Sequence, residues 1–166
     1  VSRDKVPTMQ TLFGLIDQLA ALKLNEFQLY IEHTFAYRDH ETVWAEASPL
    51  TAEQLRQLDA YCAERHIDLV PNQNSLGHME RWLQHERYRP MAECPDGFRG
   101  KDGQWYAPTT VCPLDERVLP FYEALYDEFL PNFSGGFFNG GLDGPWELGL
   151  GRSREAAERD GVGRVD

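Results

Sequence analysis

Three groups of side chains are suited to a polar, uncharged ligand. Glu32 stands beside His33; Asn72, Gln73 and Asn74 precede His78; Asp143 is followed closely by Trp146 and Glu147. Carboxylates and amides hydrogen-bond hydroxyl groups, and an indole stacks on the apolar face of a sugar ring. An imidazole or a carboxylic acid moves protons to and from a glycosidic oxygen. Together these types could serve carbohydrate chemistry. Glu32, His33, His78 and Asp143 also suit a zinc-like ion, but none stands at a tight local ligand spacing. Neither a metal nor a cofactor is therefore expected.

The elements that would position these groups follow from periodicity. Leu12, Leu15, Ile16, Leu19 and Leu22 recur at helical spacing over residues 8–22, with Pro7 and Thr8 as a start signal. Phe27, Leu29 and Ile31 then alternate with Gln28, Tyr30 and Glu32 as in a strand, and Glu32, His33 and Thr34 fall at its end. A loop-like stretch after His40 leads to a capping box at Thr51 and Gln54 and a second helix with Leu55, Leu58 and Cys62 as its apolar stripe. Ile67 to Val70 reads as a short buried strand that Pro71 ends. Met79 to Leu83 suits a short helix, and Arg87 to Pro113 is a long excursion of the kind that often carries function. Val118, Phe121, Tyr122, Leu125 and Phe129 mark a third helix. Residues 136–139 read as a strand before Asp143, and the chain is polar and helix-prone from Ser153 onward.

Helix and strand alternate, and each strand is followed by a polar cluster. That order predicts an α/β fold with a parallel sheet, whose ligands sit at the carboxyl ends of the strands. The 166 residues supply one core, so 1–166 is read as a single domain. A formal net charge of -11 disfavours nucleic acid and anionic membrane surfaces as partners. No stretch is long and apolar enough to span a bilayer and no signal peptide opens the chain, so the expected location is cytoplasmic, with secretion or the periplasm left open. Of the three cysteines, Cys62 reads as a small buried residue, whereas Cys94 and Cys112 flank one loop and could pair in an oxidising compartment.

Several segments resemble glycoside hydrolase family 20, the β-N-acetylhexosaminidases. Residues 70–83, VPNQNSLGHMERWL, resemble the family's strand that ends in Pro-Glu and runs through Asp to Pro-Gly-His; Pro71, Gly77 and His78 match, while Asn72, Asn74 and Leu76 depart from it. Residues 137–151, FFNGGLDGPWELGLG, resemble the fourth-strand motif in which Gly-Gly leads to an Asp-Glu pair. Asp143 matches the Asp, and Gly144 stands where the Glu would be. Residues 24–35 resemble the second strand, and VSRD the end of the first, with Arg3 at the hydroxyl-binding Arg.

The resemblance implies a partial (β/α)8 TIM barrel, roughly its first four strand–helix units, since a whole barrel takes about 250 residues. The rest of the barrel, or a second copy, would then cover the open edges. It implies a carbohydrate substrate with a terminal N-acetylhexosamine, hydrolysed with retention by the substrate's own acetamido oxygen. In that scheme Asp143 holds the acetamido group. Arg3, Glu32, His33, Asn74, His78 and Trp146 line the sugar site, with Glu32 or His33 as the partner of His78. Gly144 cannot move a proton. Three readings stay open: a sequence variant, a sugar-binding relative that does not cleave, or Glu147 serving as the acid one turn onward. A metal-dependent barrel sugar enzyme is a further alternative.

Overall fold

A computed structural model describes residues 4–161, and the chain is α/β. Its elements are α1 (Met9–Ala21), β1 (Glu26–Ile31), α2 (Glu41–Trp44), α3 (Ala52–Ala63), β2 (Asp68–Gln73), α4 (Glu80–Leu83), β3 (Phe98–Arg99), β4 (Trp105–Tyr106), α5 (Val118–Phe129) and α6 (Arg154–Arg159). The chain divides into two compact units. The first is Val1–Gln73 with Ala124–Gly140, and the second is Asn74–Glu123 with Gly141–Asp166.

The first unit is built on a parallel pair. β1 and β2 run in register from Glu26 opposite Asp68 to Ile31 opposite Gln73. Their alternating apolar residues Leu29, Ile31 and Leu69 are buried, as are Leu12 and Ile16 of α1 and Leu55, Leu58 and Cys62 of α3. α1 starts as expected, with Thr8 accepting from the Thr11 amide. The Thr51–Gln54 capping box of α3 forms in both directions, which satisfies amide groups that the first helical turn leaves open. The apolar stripe of α1 is narrower than its spacing suggests: Leu15 and Leu22 are exposed.

Two strand boundaries differ from expectation. Pro71 does not end β2, which continues to Gln73. The Pro71 carbonyl accepts from the Asn139 amide, so the missing N–H lies on an edge where only the single Asn72–Asn139 bridge forms, a position that tolerates proline. The strand expected over 136–139 is reduced to that one bridge. The neighbouring glycines 135, 136, 140 and 141 weaken a strand, and Phe137 and Phe138 are exposed. The stretch after His40, expected as loop, also contains α2.

The ends of β1 and β2 are tied by polar groups. Gln73 Nε2 donates to the Glu32 carbonyl at 3.2 Å, and its Oε1 accepts from the Tyr37 hydroxyl at 2.6 Å. Phe35, Tyr37, Phe129 and Phe133 pack around this end edge to face.

The second unit has little regular structure. Its apolar centre is a cluster of Trp82, Tyr88 and Phe121, with Trp82 centroids 5.2–5.3 Å from the other two. The long excursion after Arg87 carries the β3–β4 hairpin. Cys94 and Cys112 remain free thiols, buried like Cys62. Burial pushes the Cys94 thiol up to about 11, helped by the nearby Glu147 and Glu93 charges. Among the described residues no helix is long and apolar enough to cross a membrane.

Candidate functional site

Three loops of the second unit meet around Asp143. The 74–79 loop is bonded to the 141–147 loop by the Ser75 amide on the Gly141 carbonyl, 2.9 Å. It is bonded to the 109–111 segment by the Met79 amide on Thr109 O, 2.8 Å, and the Val111 amide on Leu76 O, 3.0 Å. Two of these loops approach so closely that glycine is required. A Cβ on Gly77 would lie 2.6 Å from the Asp143 carbonyl oxygen and would overlap the Gly144 backbone. Gly144 itself has φ +68°, a left-handed conformation that suits glycine. The turn it enters is closed by the Trp146 amide on Gly144 O, 2.9 Å, with Pro145 between.

Within this frame the Asp143 carboxylate is both exposed and aimed. Its side chain is 66% accessible. Asn74 Nδ2 donates to its Oδ1 at 2.9 Å, and His78 Nε2 stands 3.4 Å from Oδ2. The expected residues Asn74, His78 and Asp143 are thus brought together. The amide at 74 matters: a carboxylate there would repel Asp143, whereas the amide donates to it. The Trp146 indole, three residues after Asp143 in the chain, is 73% exposed.

Glu147 does something other than what its spacing suggests. It is fully buried. Oε1 accepts from the amides of Thr109 and Thr110 at 2.6 and 2.7 Å, and Oε2 from the two threonine hydroxyls at 2.6 and 2.9 Å. Each oxygen already has two donors, and neither faces solvent. In this arrangement the carboxylate anchors the 143–147 loop to the 109–110 segment. The reverse tie comes from Glu93, also buried, whose Oε1 accepts from the Gly151 amide, the Ser153 amide and the Ser153 hydroxyl at 3.1, 3.0 and 2.7 Å. A Cβ on Gly151 would overlap the Glu93 carbonyl and come within 2.7 Å of Cys94 Sγ. Asp115 adds a third tie through Arg117 and Arg152, 2.6 and 2.7 Å from its Oδ2. Arg117 and then Arg152 hold this buried carboxyl well below the usual carboxylate range.

Glu32 and His33 belong to the first unit, buried at the end of β1. There Glu32 Oε1 accepts from the Tyr30 hydroxyl at 3.1 Å, and His33 Nε2 stands 3.5 Å from Asp4 Oδ1. Arg3 lies outside the described residues. An open cleft of about 650 Å³ in the first unit is walled by Tyr37, Arg38, Trp44 and Glu128, and contains none of the expected site residues. Among the described residues no group of three or more His, Cys, Asp or Glu side chains is arranged to hold a metal ion. Thr109, Thr110 and Glu93 escape a reading of residue types, because the threonines act through backbone amides as much as through their hydroxyls and the glutamate looks like an ordinary loop carboxylate.

Comparison with known proteins gives one consistent answer. The catalytic domain of glycosyl hydrolase family 20 matches residues 1–159. A β-hexosaminidase of Akkermansia muciniphila is 34% identical over 103 residues, taking in 59% of this chain and 20% of that protein. The chitobiase of Flavobacterium johnsoniae superposes with a TM-score of 0.74 at 19% identity, over 99% of this chain and 27% of that one. A β-N-acetylhexosaminidase from Bacteroides fragilis superposes with a TM-score of 0.69 at 19% identity, over 96% of this chain and 34% of that one. The chain therefore spans about a fifth of the curated relative and about a third or less of these two structures.

Proposed function

Because the chain belongs to glycosyl hydrolase family 20, matched over residues 1–159, we propose that it supplies early strand–helix units of a (β/α)8 barrel and the acetamide-gripping part of a β-N-acetylhexosaminidase-type site. The substrate is a glycan with a terminal N-acetylhexosamine. Asp143 accepts from the substrate's acetamide N–H and turns the acetamido oxygen toward the anomeric carbon. That oxygen displaces the aglycone, and water later opens the ring so formed, with retention of configuration. Trp146 stacks on the sugar, and Arg3 binds its hydroxyls. The rest of the barrel, or a second copy, covers the open strand edges of this part.

One observation carries this reading: an aspartate two-thirds open to solvent yet fixed by an amide donor and an imidazole. A flexible surface carboxylate has no preferred direction, whereas this one is oriented before ligand arrives, which lowers the cost of binding. The second reading, a sugar-binding relative that does not cleave, is favoured by Gly144 and by the buried, fully bonded Glu147.

Titration of the full-length protein with N-acetylglucosamine and with glucose, followed by tryptophan fluorescence, tests the acetamide grip. We expect the acetamido sugar to bind at least about tenfold tighter, the value of one good hydrogen bond to a charged group. Asp143→Ala should erase that preference. Equal binding of the two sugars by the natural protein would refute the reading.

A further inference from the structure

The space that a side chain at residue 144 would enter is already filled. A Cβ built there overlaps His78 Nε2 and lies 2.7 Å from Cδ2 and 3.0 Å from Cε1 of the same ring. These distances lie well inside ordinary van der Waals contact. The imidazole is held in place by the backbone: His78 has φ +55°, and the next amide, of Met79, is bonded to Thr109 O. A non-glycine residue in the left-handed region is uncommon and costs energy that the surroundings must offset. The imidazole stands 3.4 Å from Asp143 and its side chain is 22% accessible, so it borders the acetamide-gripping carboxylate and still reaches solvent.

We infer that His78 is the proton-transfer group of this site, its imidazole standing in the place of the missing carboxylic acid. The inference rests on the acetamide-gripping reading above. As the acetamido oxygen bonds to the anomeric carbon, the bond from that carbon to the glycosidic oxygen breaks. The imidazolium gives its Nε2 proton to that oxygen, and the aglycone leaves as a neutral alcohol. The neutral imidazole then takes a proton from water while the water oxygen bonds to the anomeric carbon and the acetamido oxygen departs. The imidazolium is restored, and the net change is hydrolysis. Imidazole is the side chain best suited to both directions of transfer near neutral pH.

The test uses full-length protein and the variant His78→Gly, because glycine accepts the positive φ at this position and leaves a ring-sized gap. Two substrates are compared: methyl β-N-acetylglucosaminide, whose leaving group needs a proton, and the 2,4-dinitrophenyl glycoside, whose leaving group does not. We expect kcat/KM to fall roughly 10²–10⁴-fold on the methyl glycoside and less than about tenfold on the dinitrophenyl glycoside. Added imidazole should partly restore the first rate. Equal losses on both substrates without rescue, or no loss on either, would overturn the inference. So would a natural protein that binds N-acetylglucosamine but cleaves neither glycoside, an outcome that leaves the acetamide grip standing. A natural protein that binds no acetamido sugar would instead remove the underlying reading.

Discussion

The two units reach order by different means. The first is held by apolar burial: parallel strands, two amphipathic helices and a core of Leu12, Ile16, Leu29, Ile31, Leu55 and Leu58. The second is largely loop, and buried carboxylates hold it. Glu147 binds four donors, Glu93 three, and Asp115 two guanidinium groups. Apolar contacts are non-directional and tolerate small displacements, whereas a carboxylate with assigned donors fixes a loop in a single geometry. The unit that carries Asp143 and His78 is the one built with directional bonds. It should therefore fail differently when perturbed.

The largest effect is expected in the first unit. Leu58→Ala should cost about 2–5 kcal/mol through lost burial and a residual cavity, read from the urea midpoint. A cost below about 1 kcal/mol would mean that this core is not what stabilises the unit. Next, Glu147→Ala should cost about 3 kcal/mol by stranding two buried amides and two hydroxyls, while Glu147→Gln should retain most of the stability. Its amide oxygen can serve the two backbone donors, and its NH₂ can donate to threonine hydroxyls that rotate to accept. Equal losses in both variants would show that side-chain charge rather than donor matching is what counts.

Gly144→Glu should cost about 2 kcal/mol, from the left-handed backbone and the collision with the imidazole, and should not raise hydrolysis of a chromogenic N-acetylglucosaminide. A large gain in rate would instead support a simple missing acid. The smallest effect is expected for Asp115→Asn, about 1 kcal/mol at neutral pH, because both arginines are partly solvated. The folded carboxyl lies below its unfolded value near 4. Its contribution is therefore complete above about pH 4 and is lost as pH falls through the folded value. Thermal melts of the two proteins should converge on acidification.

Regular elements were legible where local chemistry decides them. Thr8, the Thr51–Gln54 box and the Leu55–Leu58–Cys62 stripe all act within a few residues, and α1, α3 and β1 form near where their spacing puts them. The misread boundaries depend on neighbours in space. Whether Pro71 ends a strand depends on which edge its missing N–H faces, and whether residues 136–139 pair depends on what lies beside them. The proximity of Asn74, His78 and Asp143 was legible through motif resemblance. The burial of Glu147 was not, because a carboxylate three residues from a tight turn reads the same whether it points at solvent or at the amides of residues 109 and 110.

The reciprocal anchoring also separates what can vary from what cannot. Glu93 and the Thr109–Thr110 pair fasten the two ends of the excursion that carries the β3–β4 hairpin. The hairpin between them therefore hangs from two fixed posts. It can be lengthened, shortened or exchanged for another loop with little movement of Asp143. That makes residues 98–106 the natural place to exchange one loop for another on this scaffold.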